Sequence, residues 1–227
     1  MSLLNVFKME LFKNIQDRVS LVVMLVFMVV NMLGGFMIAS QSWSAIMVLP
    51  FGFSFFGTMV FLFVYPYQMM GIDYKNKVMS LLIASGVSRV QYYFVKVGAT
   101  LLFSFLSLVF IVFLPLLIVL MTHDMSAALE FFNVIFEIDA VTFAIITFTW
   151  LSAFSILMTS IIISRGRRFT IFVFLGLYFV TSQIAFFFNN NRSIWWHLDY
   201  AAIIIQHIIT IVVMGVVGIL ILRKQDL

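Results

Sequence analysis

Five stretches of this chain contain no Asp, Glu, Lys or Arg: Val19 to Ile72, Val97 to His123, Ala140 to Ser164, Phe169 to Asn191 and Tyr200 to Leu222. Charge-free runs of this length leave few folds open, because a helix that crosses a bilayer needs roughly 20 consecutive apolar residues. The first run is long enough for two spans joined by a tight polar turn at Ser40-Gln41-Ser42, and each of the others holds one. The sequence therefore predicts an all-α membrane protein of six transmembrane helices, over 19–40, 44–70, 95–121, 140–163, 169–188 and 200–222. With 64% hydrophobic and only 10% charged residues, the 227-residue chain carries more apolar surface than a soluble domain of its size could bury. A cleaved signal peptide is the rival reading of the first span, but that run exceeds the usual h-region of roughly 7–15 residues. The chain has no cysteine, which excludes disulfides and thiolate metal sites.

The net charge of +4 is more informative by position than as a total. Lys8, Lys13 and Arg18 precede the first span, Lys75, Lys77, Arg89 and Lys96 separate the second from the third, Arg165, Arg167 and Arg168 separate the fourth from the fifth, and Arg223 and Lys224 follow the sixth. The alternate side keeps Arg192 alone among basic residues and carries Asp124, Glu130, Glu137, Asp139 and Asp199. The positive-inside rule then places both termini in the cytoplasm and the chain in the cell membrane. Trp43, Trp195, Trp196 and Tyr200 fall at the outer boundaries of the spans and Tyr74, Tyr92 and Tyr93 near inner ones, as amphipathic rings should. Basic residues that hug span ends, rather than forming a patch on a domain, argue against nucleic-acid binding.

Residues 1–18 read as an N-terminal interfacial elbow helix, with residues 19–227 as one transmembrane domain. Leu4, Phe7, Leu11 and Ile15 recur at helical spacing opposite Glu10, Lys13 and Asp17, although Val6 and Met9 interrupt the polar side. The competing reading is a plain cytoplasmic extension of the first span. Between the second and third spans, Gly71 to Lys96 is the longest cytoplasmic segment. There Val78, Leu81, Leu82 and Ser85 share a helical face, Gly86 can end that helix in a left-handed conformation, and Ser88 can cap a second helix running into the third span. The pair makes a sharp corner whose apolar face suits a groove on a cytoplasmic partner, the alternative being an interfacial loop without one. On the outer side, Thr122 to Asp139 reads as a short amphipathic segment around Phe131, Phe132 and Phe136, and Asn189 to Asp199 as a compact loop.

Membrane-embedded catalysis would need paired carboxylates, a His-rich metal set or an activated serine within the spans, and the sequence offers none. His207 is the one ionisable residue deep in an expected span, and a lone His there more often bonds a neighbouring helix than a ligand. His123-Asp124 and His197-Leu198-Asp199 lack further ligands for a metal. No Gly-rich phosphate loop with Lys and Ser or Thr occurs, so ATP chemistry would have to come from another chain. Pro50, Pro66 and Pro115 are weak signs of a broken-helix pathway.

The segment from Asp73 to Lys96 resembles the cytoplasmic signature of ABC-2 type exporter permeases: an acidic residue (Asp73), a polar turn, a Leu-Leu pair (Leu81-Leu82), Ser-x-Val-Ser-Arg (Ser85-Gly86-Val87-Ser88-Arg89) and a later Lys (Lys96). The resemblance extends to the layout of elbow, six spans, inside termini and basic tail Arg223-Lys-Gln-Asp-Leu227. The chain departs from the family pattern at Asp73, where Glu is common, at Asn76-Lys77 in place of Gly-Thr, and at Gly86 in place of Pro. The resemblance implies a permease without a catalytic site or cofactor of its own. Asp73, Tyr74, Lys77, Leu81, Leu82, Ser85, Gly86, Val87, Ser88 and Arg89, with the elbow residues Phe7, Leu11 and Ile15, would engage a cytoplasmic ATPase that holds ATP and Mg. Two permeases, identical or homologous, and two ATPases would form the transporter. Small permeases of this family in Gram-positive bacteria often handle antimicrobial peptides, so the implied substrate is an amphipathic peptide or lipid moved outward. The 28 Phe and 15 Met residues could line an adaptable cleft, or serve lipid contact and core packing. An ATP-independent carrier or channel and a membrane-embedded immunity protein are the alternatives.

Overall fold

The structure is a computed structural model and describes residues 3–39, 64–110, 139–190 and 199–225. The described residues are helical apart from short turns: α1 (Leu3–Gln16), α2 (Arg18–Ala39), α3 (64–75), α4 (Val78–Ala84), α5 (Arg89–Leu108), α6 (Ala140–Ser164), α7 (Thr170–Asn190) and α8 (Asp199–Lys224). Two helices, α6 and α8, are long and apolar enough to cross a membrane, and they point to membrane association. Shorter apolar stretches lie at Leu21–Val30 in α2 and Thr170–Ile184 in α7. The turn at Ser40-Gln41-Ser42, most of the expected second span, the far end of the third, and the outer loops with Trp43, His123, Arg192, Trp195, Trp196 and His197 lie outside the described residues.

The chain divides into two compact units. The first comprises Pro66–Phe94 and Asp139–Leu227. Its core is the C-terminal half of α6, where every residue from Phe154 to Ile162 is buried beneath α7 and α8. Apolar surface alone gives little reason for two helices to associate in lipid, so small residues and hydroxyls carry the contact. Thr159 Oγ1 donates to the Met214 carbonyl at 2.9 Å and Ser155 Oγ to that of Ile211 at 3.3 Å. Gly218 leaves the notch that this approach needs, since a Cβ there would stand 3.2 Å from the Tyr93 ring and 3.5 Å from Thr159 Oγ1. Higher up, Thr149 Oγ1 and Ser152 Oγ bond the two ring nitrogens of His207 at 3.0 and 2.9 Å, the helix-to-helix tie expected of that residue. Outward, α8 exposes Ile205, Ile209, Val212, Val216 and Leu220.

Asp139 starts α6 as its N-cap, accepting from the Val141 N–H and from Thr142 Oγ1. These bonds hold its carboxyl below the usual carboxylate range. At the other end α6 stops in a Schellman turn: Arg165 takes φ 51, its N–H reaches the Ile162 carbonyl, and Gly166 N–H reaches that of Ile161. Thr170 Oγ1 bonds Ser164 Oγ and the Arg167 carbonyl, which fixes the entry into α7.

The second unit comprises Ser2–Tyr65 and Val95–Ile138. Here α1 runs to Gln16 and meets α2 at Asp17, whose carbonyl accepts from Leu21 N–H. Glu10 Oε2 accepts from Lys96 Nζ at 2.6 Å, with both side chains 1% exposed. Phe7 lies against Gly98, and Tyr65 stacks at a tilt on Phe103 with centroids 4.6 Å apart. The expected division of α1 into an apolar and a polar face holds with one correction: Glu10, with Asn14 and Val6, is buried, whereas Leu4 and Ile15 are exposed and Phe7 and Leu11 half-buried. Pairing to Lys96 offsets part of the cost of burying Glu10, so the line Val6, Glu10 and Asn14 turns inward while Leu4 and Ile15 face outward.

A buried pair is costly to break from one side only. Glu10→Gln leaves the Lys96 ammonium buried without its counter-charge and should lower stability by about 3–5 kcal/mol, whereas Glu10→Leu combined with Lys96→Met should recover most of that loss. Chemical unfolding of the detergent-solubilised protein checks both, and equal losses in the single and double variants would show that the pair is not the cause.

Candidate functional site

The segment from Gly71 to Arg89 is built from a run of local stop and start signals. Helix α3 continues to residue 75, Lys77 takes the left-handed conformation (φ 54) as the N-cap of α4, and α4 lasts only seven residues. It ends as the sequence predicts: Gly86 has φ 93, its N–H reaches the Ile83 carbonyl, and Val87 N–H reaches that of Leu82. The side chains of Val87 and Leu82, which flank this turn, are both buried. Ser88 then begins α5 in a reciprocal capping box, its N–H donating to Gln91 Oε1 at 3.0 Å and Gln91 N–H to Ser88 Oγ at 3.2 Å. The corner is therefore sharp and hydrogen-bonded on both sides of Gly86.

Around it, the first unit converges. Arg89 Nη1 donates to the carbonyls of Leu222, Arg223 and Gln225 at 3.0, 2.5 and 2.8 Å. These lie at the C-terminal end of α8, where the last carbonyls have no helical partner and the helix dipole favours a cation. Gln225 completes the junction: its Nε2 donates to the Ile162 carbonyl of α6 at 2.7 Å, and its Oε1 accepts from Tyr74 Oη at 3.2 Å. Tyr92 Oη donates to Asp73 Oδ2 at 3.2 Å in a buried contact. Helix α3 crosses the α6–α7 turn at two glycines, so closely that a Cβ on Gly166 would stand 2.6 Å from Gly71 Cα. Gly166 also has φ 64, so geometry and space both require glycine there.

These contacts sort the residues singled out from the sequence. Lys77, Leu81, Ser85, Gly86 and Ser88 are exposed. Asp73, Leu82 and Val87 are buried, and Tyr74 and Arg89 are half-buried and engaged with the α8 terminus. The expected common face of Val78, Leu81, Leu82 and Ser85 does not form a buried stripe. Met79 and Leu82 point inward, whereas Leu81 is 67% exposed. A helix of under two turns packs on a single line of side chains, and an all-apolar sequence does not say which line that is.

Sequence reasoning missed Gln225, Tyr92, Gln91 and the glycine pair. The Ser88-x-x-Gln91 pattern is a readable capping signal, whereas Gln225 acts across 63 and 151 positions of sequence and leaves no local trace. Burial pushes the Tyr74 phenol well above its ordinary value, with Asp73 adding to the rise and Arg165 and the Gln225 bond opposing it. Among the described residues no group of three or more His, Cys, Asp or Glu could hold a metal. No family model matches the chain, and no curated protein or solved structure is detectably similar to it.

Gln225→Leu conserves volume but strips the junction of both side-chain bonds, leaving the Ile162 carbonyl and Tyr74 hydroxyl unmet. It should cost about 1–3 kcal/mol, against about 1 kcal/mol for loss of the cap in Ser88→Ala. Denaturant midpoints of the two variants give the comparison. A neutral phenol is favoured in the folded state, so the protein binds more protons folded than unfolded once pH exceeds the ordinary tyrosine value of about 10. Stability from this source is full below that pH and falls as pH rises past it. Tyr74→Phe should flatten the fall, and unchanged alkaline slopes would remove Tyr74 as its origin.

Proposed function

We propose that this chain is the transmembrane permease subunit of an ABC exporter, working with ATPase subunits supplied by another chain and with a second permease copy, identical or homologous. The observation that carries this reading is the hydrogen-bonded corner at Gly71 to Arg89, which holds Leu81 in solvent at 67% exposure on a short helix. A large apolar side chain held out on a rigid projection suits a groove on a partner. The resemblance of Asp73 to Lys96 to the ABC-2 signature names that partner as a cytoplasmic ATPase.

In this reading, closure of two ATPases on ATP pushes on α4. The push reaches α8 through Arg89 and Gln225 and reaches α6 through Gln225, so the corner transmits force to two membrane-crossing helices at once. Six spans, with both termini in the cytoplasm, complete the arrangement. The apolar face of α1, with Phe12 and Ile15 exposed, lies in the inner membrane interface. The transported molecule is an amphipathic peptide or lipid.

The first test is purification of the tagged chain in mild detergent after expression with its native neighbouring genes. An ATPase in equal proportion is expected, and Leu81→Asp should remove it while leaving the permease folded, because Leu81 is 67% exposed. Arg89→Glu is a poorer probe, since it also uncaps α8. Recovery of the permease without ATPase under several mild conditions would overturn the reading in favour of a carrier that works alone or an immunity protein.

A further inference from the structure

Within the first unit, a cavity of about 570 Å³ opens between α3, the start of α4 and the α6–α7 turn. Four cations line it: Lys75, Lys77, Arg165 and Arg167. None of the four forms an ion pair with a described residue. The carboxylate in the lining, Asp73, is 1% exposed and accepts a hydrogen bond from Tyr92. With four cations and one carboxylate in its lining, the concavity is net positive and favours an anion.

The backbone fixes where two of these cations stand. Among the described residues, the non-glycine residues at positive φ are Lys77 (54) and Arg165 (51), and both line this cavity. A left-handed residue with a Cβ is disfavoured, and turns normally place Gly or Asn there. Here both residues are helix caps, Lys77 for α4 and Arg165 for α6, and the caps fix the backbone of two cations at the edge of one cavity. The position fits as well. Arg165 and Arg167 follow the apolar helix α6, and directly beyond them Phe169 and, in α7, Ile171 and Phe172 are exposed. A basic cavity beside exposed apolar helix surface is where a membrane presents its phosphates.

We propose that this cavity binds a phosphate ester, with Lys75, Lys77, Arg165 and Arg167 as its cationic contacts, and that the headgroup of an anionic phospholipid supplies it. The ATPase reading shares Asp73, Tyr74 and Lys77 with this cavity, but Leu81 does not line it, so Leu81→Asp tests the ATPase contact without touching the anion site.

Calorimetric titration of the full chain in non-ionic detergent, at fixed ionic strength, tests it with three probes: short-chain phosphatidylglycerol, short-chain phosphatidylcholine and inorganic phosphate. Phosphatidylglycerol should bind tightest, with inorganic phosphate competing. Lys77→Asn with Arg165→Asn keeps residues that tolerate the left-handed conformation, so it should weaken binding about tenfold or more while leaving the unfolding temperature unchanged or raised. A merely structural role would give the reverse. Ser80→Glu, which adds a carboxylate to the lining without removing a cation, should weaken binding as well, and Lys8→Gln with Arg18→Gln should not. Binding of inorganic phosphate with no binding of either lipid would overturn the lipid headgroup as the source and assign the site to a soluble phosphate ester. Equal binding of the two lipids, or wild-type affinity in the Lys77/Arg165 variant, would overturn the proposal.

Discussion

The carbonyls at the C-terminal end of α8 need donors, and most of the first unit's architecture follows from how they get them. A helix this apolar ends where water or a side chain must take over the backbone's unmet acceptors. Arg89 does so from the first turn of α5, a place where its charge opposes that helix's own dipole and is of use only to another helix. Because the guanidinium must reach α8, the start of α5 is fixed beside it. With the start of α5 fixed, Tyr92 meets Asp73 and Tyr93 fills the notch at Gly218. Gln225 extends the same junction to α6 and α3, and the Gly71–Gly166 crossing then sets the walls of the basic cavity.

Farther along α6 and α8 the contact changes character without changing logic. Thr159, Ser155, Ser152 and Thr149 all face α8, and each meets a backbone carbonyl or an imidazole nitrogen. In a sequence whose remaining side chains are interchangeable in lipid, these hydroxyls set the rotation and register of the two helices. His207 belongs to this set: both of its ring nitrogens are occupied by α6 hydroxyls, which accounts for an ionisable residue in an apolar helix without invoking chemistry.

What could be read in advance was what is local. The charge-free runs gave the positions of α6 and α8 to within a few residues, and the left-handed Gly86 and the capping Ser88 are signals spanning two to four positions. The inward line of α4 could not be read, because Met79, Leu81 and Leu82 are all apolar and the choice between them depends on what α3 and α5 present. The inward turn of Glu10 could not be read either, since it depends on Lys96, 86 positions away. Gln225 and the glycine pair are of the same kind: their residue types are unremarkable, and their roles come from tertiary approach.

The basic residues show why a charge count by side of the membrane is a coarse instrument. In the sequence Arg89, Lys96, Lys77 and Arg165 carry equal weight as flanking cations. In the structure Arg89 is spent on three carbonyls and Lys96 on Glu10, so neither presents a free charge outward. Lys77 and Arg165, with Lys75 and Arg167, keep theirs and concentrate it on one concave wall. Charge that is already satisfied contributes to fold, and charge left unsatisfied in a cavity contributes to recognition. Lys77 and Arg165 hold that wall in place as helix caps, the first at the start of α4 and the second in the turn that ends α6.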